Sequence, residues 1–433
     1  MALRRMILTM INLVGYRLGG AGLGLISQIL LARLLPQDAV GIILMTMSAA
    51  SLISLVITAG YPNLSMTSLA RFYALGRRSL VGAFHAAAWH DTLLISSLLI
   101  PFLAWLVLRQ PFNPGLNTAL IYGSLVAPFS SLIRMTCATA NSQRRFSLSY
   151  IADHVFRPGL LLAYLLAAII LGLPHDLPTV LDVLILVTAA VAIAQAIALG
   201  PEAMPVIGAR PPHGFVKYLR HRAASLVIVA AATVAFADIV TLLGGLFLPS
   251  GDVAAFGIAI RLAALAGFVT QSTQQMMLPD LADAMVKGRR DVVRSLLFRV
   301  NVISVAAILA CVIVCALFGS RIMGVFGPEY ESAHWPLVLF MLSQLFRAAA
   351  GMNQHLLAID GFQTRTASSC IFAMVILVVG AEFLAPRFGL MGMAAAVVVS
   401  DAVWAGLLGL QAQLYTAFRG DIFAMAQFRG SRA

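Results

Sequence analysis

Long apolar stretches alternate with short polar breaks along the whole chain. Twelve of these stretches come close to the roughly 20 mostly apolar residues that an α-helix needs to cross a bilayer. The alternating pattern of a transmembrane β-barrel is absent, so we predict helices. The twelve predicted spans are 8–31, 40–60, 84–108, 117–140, 148–171, 179–200, 223–247, 254–278, 300–319, 335–357, 367–386 and 390–413.

Composition agrees with this pattern. Hydrophobic residues make up 61% of the chain and charged residues 11%, with a mean hydropathy of +0.93. These values lie outside the range of soluble globular proteins. The first span lacks a small-residue cleavage site and is too long for a signal-peptide core, so we expect it to be retained. The chain is predicted to be an all-α integral membrane protein.

The basic residues predict the orientation. With a cytoplasmic N-terminus, 20 of the 29 Lys and Arg residues fall on the inner side. The outer connections hold only Arg33, Arg109, Arg321 and Arg387. This asymmetry follows the positive-inside rule and predicts that both termini are cytoplasmic. The net charge of +12 is explained by topology and contact with anionic lipids, and gives no reason to expect nucleic acid.

Two short matches divide the chain into halves. LARFYALGRRS at 69–79 is echoed by LADAMVKGRRD at 281–291, and LLPQDAVGI around Pro36 by FLPSGDVAAFGI around Pro249. The offsets, 212 and 213 residues, are nearly the same. We therefore predict two pseudo-symmetric six-helix bundles around a central cavity. The domains are an N-terminal bundle (1–200), a Pro-rich and basic cytoplasmic linker (201–222) and a C-terminal bundle (223–433).

Enzyme signatures are missing from the sequence. It contains no P-loop, no Gly-x-Ser-x-Gly and no Asp-rich metal motif. The four cysteines all fall inside predicted spans, and the eight histidines lack ligand spacing. We predict a protein that is not an enzyme and that has no metal or cofactor.

Charged residues inside the spans are the best indicators of a site. A charge at the bilayer centre costs at least ~2.5 kcal/mol on insertion scales, so each is expected to face protein, water or ligand. The arginines are candidates for substrate binding, and the acidic residues are candidates for coupling to H⁺ or Na⁺. The arginines are Arg17, Arg134, Arg157, Arg261 and Arg347, and the acidic residues are Asp91, Asp153, Asp238 and Asp401.

Structural alternatives exist for several of these residues. Arg134 lies near the inner end of its span and can snorkel to the headgroups, whereas Arg17 and Arg347 lie too deep for this. Asp153 and Arg157 are four residues apart on one helix and can pair with each other.

Two further candidates stand out by their surroundings. Arg261 has no acidic residue within one turn. Asp238 is flanked by Phe236 and Ile239, an environment whose desolvation favours a bound proton.

Glycines surround Arg17 at positions 15, 19, 20, 22 and 24. They remove side-chain bulk, which allows either close helix packing or access by a bulky ligand. Arginine in a water-filled cavity is suited to a forked anion, above all phosphate. The sequence therefore favours an anionic, phosphorylated cargo.

Four stretches carry a resemblance to a known family. They are GYRLGGAGLGLISQILLARLLPQDAVGI, LARFYALGRRS, FGIAIRLAALAGFVTQSTQQMMLPDLADAMVKGRR and GLMGMAAAVVVSDAVW. These stretches resemble polysaccharide flippases of the multidrug, oligosaccharidyl-lipid and polysaccharide exporter superfamily. The resemblance implies two six-helix bundles that move undecaprenyl-diphosphate-linked oligosaccharides across the bacterial inner membrane by alternating access without ATP. It also implies a cationic cavity, for which Arg17 and Arg261 lie in the family-like stretches, and a role in polysaccharide or lipopolysaccharide biosynthesis beside polymerases and glycosyltransferases.

Two alternatives remain open. A multidrug exporter of the same superfamily would favour an acidic cavity for cationic drugs, whereas this chain has five buried arginines against four aspartates. A membrane polymerase or ligase of the O-antigen type would have a large periplasmic loop, and the longest outer connection here, 320–334, is short. The flippase is the hypothesis that the residues favour.

Overall fold

The computed structural model describes residues 2–200, 213–233 and 235–422. Every regular element in these ranges is a helix, which confirms the predicted all-α fold. Contacts divide the chain into two compact units, Met1–Leu246 (unit 1) and Phe247–Ala433 (unit 2). The predicted boundary at the 201–222 linker stays a prediction, because residues 201–212 lie outside the described ranges.

Unit 1 contains eleven α-helices, with π-helical segments at Ser65–Leu69 and Ala152–Phe156, in the part of the chain that the structure describes. Its helices are α1 (Ala2–Leu34), α2 (Gln37–Ile57), α3 (Tyr61–Leu64), α4 (Ala70–Ala74), α5 (Arg78–Leu108), α6 (Pro114–Ser142), α7 (Phe146–Ile151), α8 (Arg157–Leu171), α9 (Leu177–Leu199), α10 (His213–Thr233) and α11 (Phe236–Phe247).

Unit 2 has fewer and longer helices. These are α12 (Ser250–Val286), α13 (Arg290–Gly324), a 3₁₀ turn (Pro328–Ala333), α14 (His334–Ala349), α15 (Asn353–Ile359) and α16 (Gln363–Tyr415). The long helix α16 is kinked at Gly389, where φ is 55° and ψ is −134°. This non-helical conformation, which only glycine adopts readily, divides α16 into two helices at Gly389.

Each predicted span falls on helical segments, but three of them are each made of two consecutive helices: 148–171, 223–247 and 335–357. Nine helices in the described ranges are long and apolar enough to cross a membrane, and one of them, Arg365–Tyr415, contains two predicted spans joined across the kink. The remaining two spans, 8–31 and 223–247, fall on α1 and on α10 with α11. The apolar helical segments in these two spans are Gly19–Leu34 and Phe236–Phe247, and both are shorter than the other nine. The chain is therefore a multi-pass membrane protein.

The sequence repeat corresponds to a backbone repeat. Pro36 and Pro249 precede α2 and α12 with nearly identical torsion angles, φ −55° and ψ 147° against φ −59° and ψ 151°. Gly76 and Gly288 both have φ of 65° and stand immediately before the arginine that caps the next long helix. The two halves of the repeat thus share the backbone conformation at these two positions.

In unit 1, α2 packs along α6 through small side chains. A Cβ atom on Gly123 of α6 would lie 2.6 Å from the Cβ of Ala49, so only glycine fits this crossing. Ala49, Ile53 and Ala127 are buried at the same interface. This close approach brings the polar residues of the two helices within hydrogen-bonding distance.

Candidate functional site

Arg134 extends from α6 to the facing side of α2. Its Nε donates to Ser54 Oγ at 2.8 Å, and its Nη2 donates to Ser51 Oγ at 2.9 Å. Ser51 and Ser54 are one helical turn apart, so both hydroxyls face the guanidinium. The side chain is thus held between helices, in contrast to the snorkelling alternative. Because its bonding partners are neutral hydroxyls, these bonds leave the positive charge of Arg134 in place.

Two carboxylates and a second arginine lie in the electrostatic environment of Arg134. Asp153 and Asp238 attract its charge, and Arg157 opposes it. Arg157 Nη1 lies 3.4 Å from Asp153 Oδ1, at the long end of hydrogen-bonding distance, while Arg157 Nε is buried without a hydrogen-bond partner. From the sequence, Asp153 and Arg157 are expected to be able to pair on one helix, and Arg134 and Asp238 are separate candidates. The structure brings them together within unit 1.

Helix α1 packs against the segment that carries Asp153 and Arg157. A Cβ atom on Gly20 would lie 2.1 Å from the backbone oxygen of His154, so this contact requires glycine. Ser27 Oγ donates to Pro158 O at 3.1 Å, which continues the contact along α8. Arg17 lies one helical turn before Gly20, and its side chain is outside the described residues.

Arg347 occupies the corresponding position in unit 2. It follows Arg134 by 213 residues, the offset of the sequence repeat, and both arginines end a Ser-x-Leu-x-Arg stretch: Ser130 to Arg134 and Ser343 to Arg347. Arg347 Nε donates to Asp401 Oδ1 at 3.0 Å. The hydroxyl of Ser343 donates to the other oxygen of Asp401.

The Asp401 carboxylate is closed off from solvent. The exposed fraction of its side chain is 2%, and that of Arg347 is 21%. The guanidinium carbon of Arg347 also lies 5.1 Å from the ring centroid of Trp404, within cation–π range. Arg347 and Asp401 therefore neutralise each other. We propose that the pair stabilises unit 2, and the roles predicted from the sequence, substrate binding for Arg347 and ion coupling for Asp401, stay predictions.

Asp91 forms a second neutralised pair, in unit 1. Arg220 on α10 donates to both of its oxygens, from Nε to Oδ2 at 2.8 Å and from Nη2 to Oδ1 at 2.6 Å. The buried hydroxyl of Tyr61 donates to Oδ2 at 2.7 Å. Hydrogen bonding to Asp91 raises the pKa of Arg220 above its usual value.

A cavity of about 520 Å³ borders the pair and is otherwise lined mainly by apolar residues. The pairing of Asp91 with Arg220 was not predicted from the sequence, because the two residues are 129 positions apart and Arg220 was placed in the basic linker. No local sequence signal relates the two positions.

Arg261 and Asp238 complete the set of candidates. Arg261 is partly buried on α12 in unit 2, and Asp238 is partly buried near the start of α11 in unit 1. Within the part of the chain that the structure describes, no group of three His, Cys, Asp or Glu residues could hold a metal ion. The residues that sequence analysis overlooked are the hydroxyl partners Ser51, Ser54 and Ser343. A signal for the first two was present, because Ser48, Ser51 and Ser54 form a polar stripe in an apolar span.

Comparison with known proteins relates the chain to others by structure alone. No protein-family model and no curated protein matches the sequence. Among solved structures, the chain is similar to an inward-facing multidrug resistance MATE family transporter of the MOP superfamily, with a TM-score of 0.73 and 14% identity. The match covers 91% of this chain and 94% of the transporter.

Two further structures are similar over most of their length. The inward closed conformation of the lipid II flippase MurJ matches with a TM-score of 0.73 and 11% identity, over 93% of this chain and 87% of the flippase. A MOP superfamily transporter from Pyrococcus furiosus, described as having a binding pocket of reverse polarity, matches with a TM-score of 0.55 and 13% identity, over 93% and 94%. At these identities the similarity establishes a shared fold.

Proposed function

We propose that this protein is a flippase that moves undecaprenyl-diphosphate-linked oligosaccharide units across the bacterial inner membrane by alternating access. The observation that carries the proposal is the partly buried guanidinium of Arg134, which is hydrogen-bonded to the serine hydroxyls of α2 and, within the described ranges, to no carboxylate. A buried cation that is not tied to a carboxylate can accept an anionic ligand. The fold shared with the lipid II flippase MurJ is consistent with such a cargo.

Arginines at and near Arg134 are the proposed contacts for the anion in unit 1. Arg134 and Arg157 are accompanied by Asp153 and Asp238, so the charges of these four residues balance. Arg17 is proposed from the sequence as an additional positive charge. A diphosphate offers several oxygens to forked guanidinium donors, so two or more arginines can bind it at once. Arg261 in unit 2 is proposed as a further contact on the basis of the family resemblance.

The alternative function is a cation-coupled multidrug exporter. Similarity to a MATE family transporter, with the same TM-score as for the flippase, is the observation in its favour. A cationic drug requires an available carboxylate, and in this chain Asp91 and Asp401 are each bonded to an arginine. Asp153 and Asp238 are the remaining candidates, and both lie near positive charge. We favour the flippase because Arg134 is hydrogen-bonded to hydroxyls and is thereby left available to an anion.

The residues that couple transport to an ion gradient are proposed among the carboxylates near Arg134. Since Asp91 and Asp401 are held by arginines, we propose Asp238, with Asp153 as the second candidate, as the residue that carries H⁺ or Na⁺. Transport by an Asp238→Asn variant should lose its dependence on pH or on sodium. An unchanged dependence would remove Asp238 from the proposal.

The cargo is tested directly by reconstitution. Purified protein in proteoliposomes should move a fluorescent undecaprenyl-diphosphate oligosaccharide between leaflets, measured by the fraction that an impermeant quencher can reach. Ethidium uptake in the same vesicles serves as the comparison for drug transport. Movement of the lipid-linked sugar without ethidium uptake is the expected result. Ethidium transport without lipid movement would establish the exporter instead.

A further inference from the structure

Four helix–helix turns on the predicted cytoplasmic side share one backbone conformation in the part of the chain that the structure describes. In each turn a residue with positive φ follows the helix, and the next backbone N–H donates to the carbonyl five residues earlier, at distances of 3.0, 2.9, 3.0 and 2.7 Å. The residues with positive φ are Gly76 (65°), Arg144 (62°), Gly288 (65°) and Gly361 (86°). Two of these turns lie in each unit. The same conformation recurs on the predicted outer side at Gly172, where φ is 66° and Leu173 N donates to Ala168 O at 3.2 Å.

Arg144 is the exception among these turns. The left-handed conformation brings Cβ close to the backbone, so a residue with a side chain is strained there, and glycine is preferred. The other three turns follow this preference. The arginine at position 144 therefore indicates that its side chain provides something that glycine cannot.

The side chain of Arg144 lines a cavity of about 950 Å³ in unit 1. Arg145 lines the same cavity, and both arginines are exposed. Asn141, Gln143 and Tyr73 add an amide, a second amide and a phenol, and none of the lining residues is acidic. Gln143 Nε2 donates to the hydroxyl of Tyr73 at 3.0 Å. This bond joins the turn to α4, which carries Tyr73.

These groups fit a phosphate that is attached to an apolar body. The consecutive residues Arg144 and Arg145 line the same cavity and offer forked donors for phosphate oxygens. Arg145 Nη2 also donates to Ala198 O at 3.3 Å, so Arg144 is the freer of the two. Met66, Ala70 and Phe146 form an apolar part of the wall, next to the polar groups. An inner membrane leaflet offers this combination in its anionic phospholipids, which attract basic segments. We propose that the cavity is a binding site for the phosphate headgroup of an anionic membrane lipid, with Arg144 as its main contact.

The site explains why the strained turn is retained. Arg144 stands between α6, which carries Arg134, and α7, which leads into the segment with Asp153. A phosphate bound to Arg144 would fix this turn and so stabilise unit 1. The proposal does not depend on the identity of the transported cargo, because the site binds a lipid that stays in the membrane.

The test uses the purified full-length protein in a neutral detergent. Three probes are titrated: dioleoylphosphatidylglycerol, dioleoylphosphatidylcholine and inorganic pyrophosphate. Binding is followed by native mass spectrometry and by the shift of the thermal unfolding midpoint. Phosphatidylglycerol should bind and raise the midpoint, whereas phosphatidylcholine, which has no net charge, should bind at least tenfold more weakly.

The key variant is Arg144→Gly, matched by Arg294→Ala, which removes an exposed arginine from α13 in unit 2. Without lipid, Arg144→Gly should be at least as stable as the natural protein, because glycine relieves the left-handed strain. Its affinity for phosphatidylglycerol should fall about tenfold, and that of Arg294→Ala should be unchanged. Equal affinity in all three proteins would overturn the proposal. Pyrophosphate binding as tight as that of phosphatidylglycerol would overturn the lipid as the source of the phosphate.

Discussion

Arg134 and Arg347 occupy the same position in the two halves of one sequence repeat and have different partners. Arg347 is paired with Asp401, a buried carboxylate that Ser343 also binds. Arg134 is bonded to the hydroxyls of Ser51 and Ser54. Where unit 2 has Asp401, the same offset leads in unit 1 to Thr188, whose hydroxyl is bonded within its own helix. Arg347 is hydrogen-bonded to a carboxylate, whereas Arg134 is hydrogen-bonded to hydroxyls and has carboxylates only in its wider electrostatic environment.

On the proposed function, this difference separates a structural role for Arg347 from a binding role for Arg134. A buried ion pair satisfies both charges and leaves little attraction for a ligand. A buried guanidinium that is hydrogen-bonded to neutral groups is positioned by them but remains a cation. Both halves of the repeat contain this arginine. On the proposed function, its partners on neighbouring helices determine that Arg134, and not Arg347, binds an anion.

Removal of Arg347 should have the largest effect on stability. Arg347→Ala leaves Asp401 buried and unpaired, which should lower the free energy of unfolding by about 3–5 kcal/mol. Thermal unfolding of the purified protein and its abundance in the membrane measure this loss. The Arg347→Ala/Asp401→Ala double variant should recover much of the stability. A double variant as unstable as the single one would contradict the neutralised-pair interpretation.

Removal of Arg220 should have an intermediate effect. Arg220 also pairs with a buried aspartate, Asp91, but its own side chain is 52% exposed. Water can reach the remaining carboxylate after Arg220→Ala, and Tyr61 still donates to it. We expect a loss of about 1–2 kcal/mol, measured by the same unfolding assay. A loss as large as that of Arg347→Ala would mean that solvent exposure does not distinguish the two pairs.

The repeated turns should show the smallest and most equal effects. Gly76 and Gly288 have the same φ, 65°, and a Cβ atom on either would meet no atom within 4 Å. Gly76→Ala and Gly288→Ala should therefore each cost only the backbone strain, about 1 kcal/mol. Unequal losses in thermal unfolding would indicate that the two halves differ in backbone as well as in side-chain partners.

Much of the fold was predictable from hydropathy and one repeat. Lipid requires about 20 apolar residues per helix, so the spans stand out in the sequence. The glycines in the Leu-Gly-Arg-Arg and Lys-Gly-Arg-Arg stretches are a signal for the turns at Gly76 and Gly288, because the left-handed residue that ends a helix is usually glycine. The turn at Arg144 was not recognisable, since arginine carries no such signal.

The candidate site was predictable in its residues but only partly in their pairing. Arg134, Arg157, Asp153 and Asp238 stand out as charges in apolar spans. Which charge meets which depends on helix packing, since α6 contacts α2 through Gly123 and Ala49. Pairs such as Asp91 with Arg220 connect helices far apart in the chain. Sequence patterns in one helix contain no information about such partners.

The most direct test of the account compares lipid flipping per molecule in Arg134→Ala, Arg134→Lys and the natural protein, with Arg294→Ala as the matched control. In proteoliposomes, Arg134→Ala should reduce flipping at least tenfold, since one charge-assisted contact to a phosphate contributes about 1.5–3 kcal/mol. Arg134→Lys should recover part of the rate, because an ammonium keeps the charge and loses the forked geometry. Arg294→Ala should be unchanged. Full flipping per molecule by Arg134→Ala would contradict the account, and Arg134 would then serve only to pack α6 on α2.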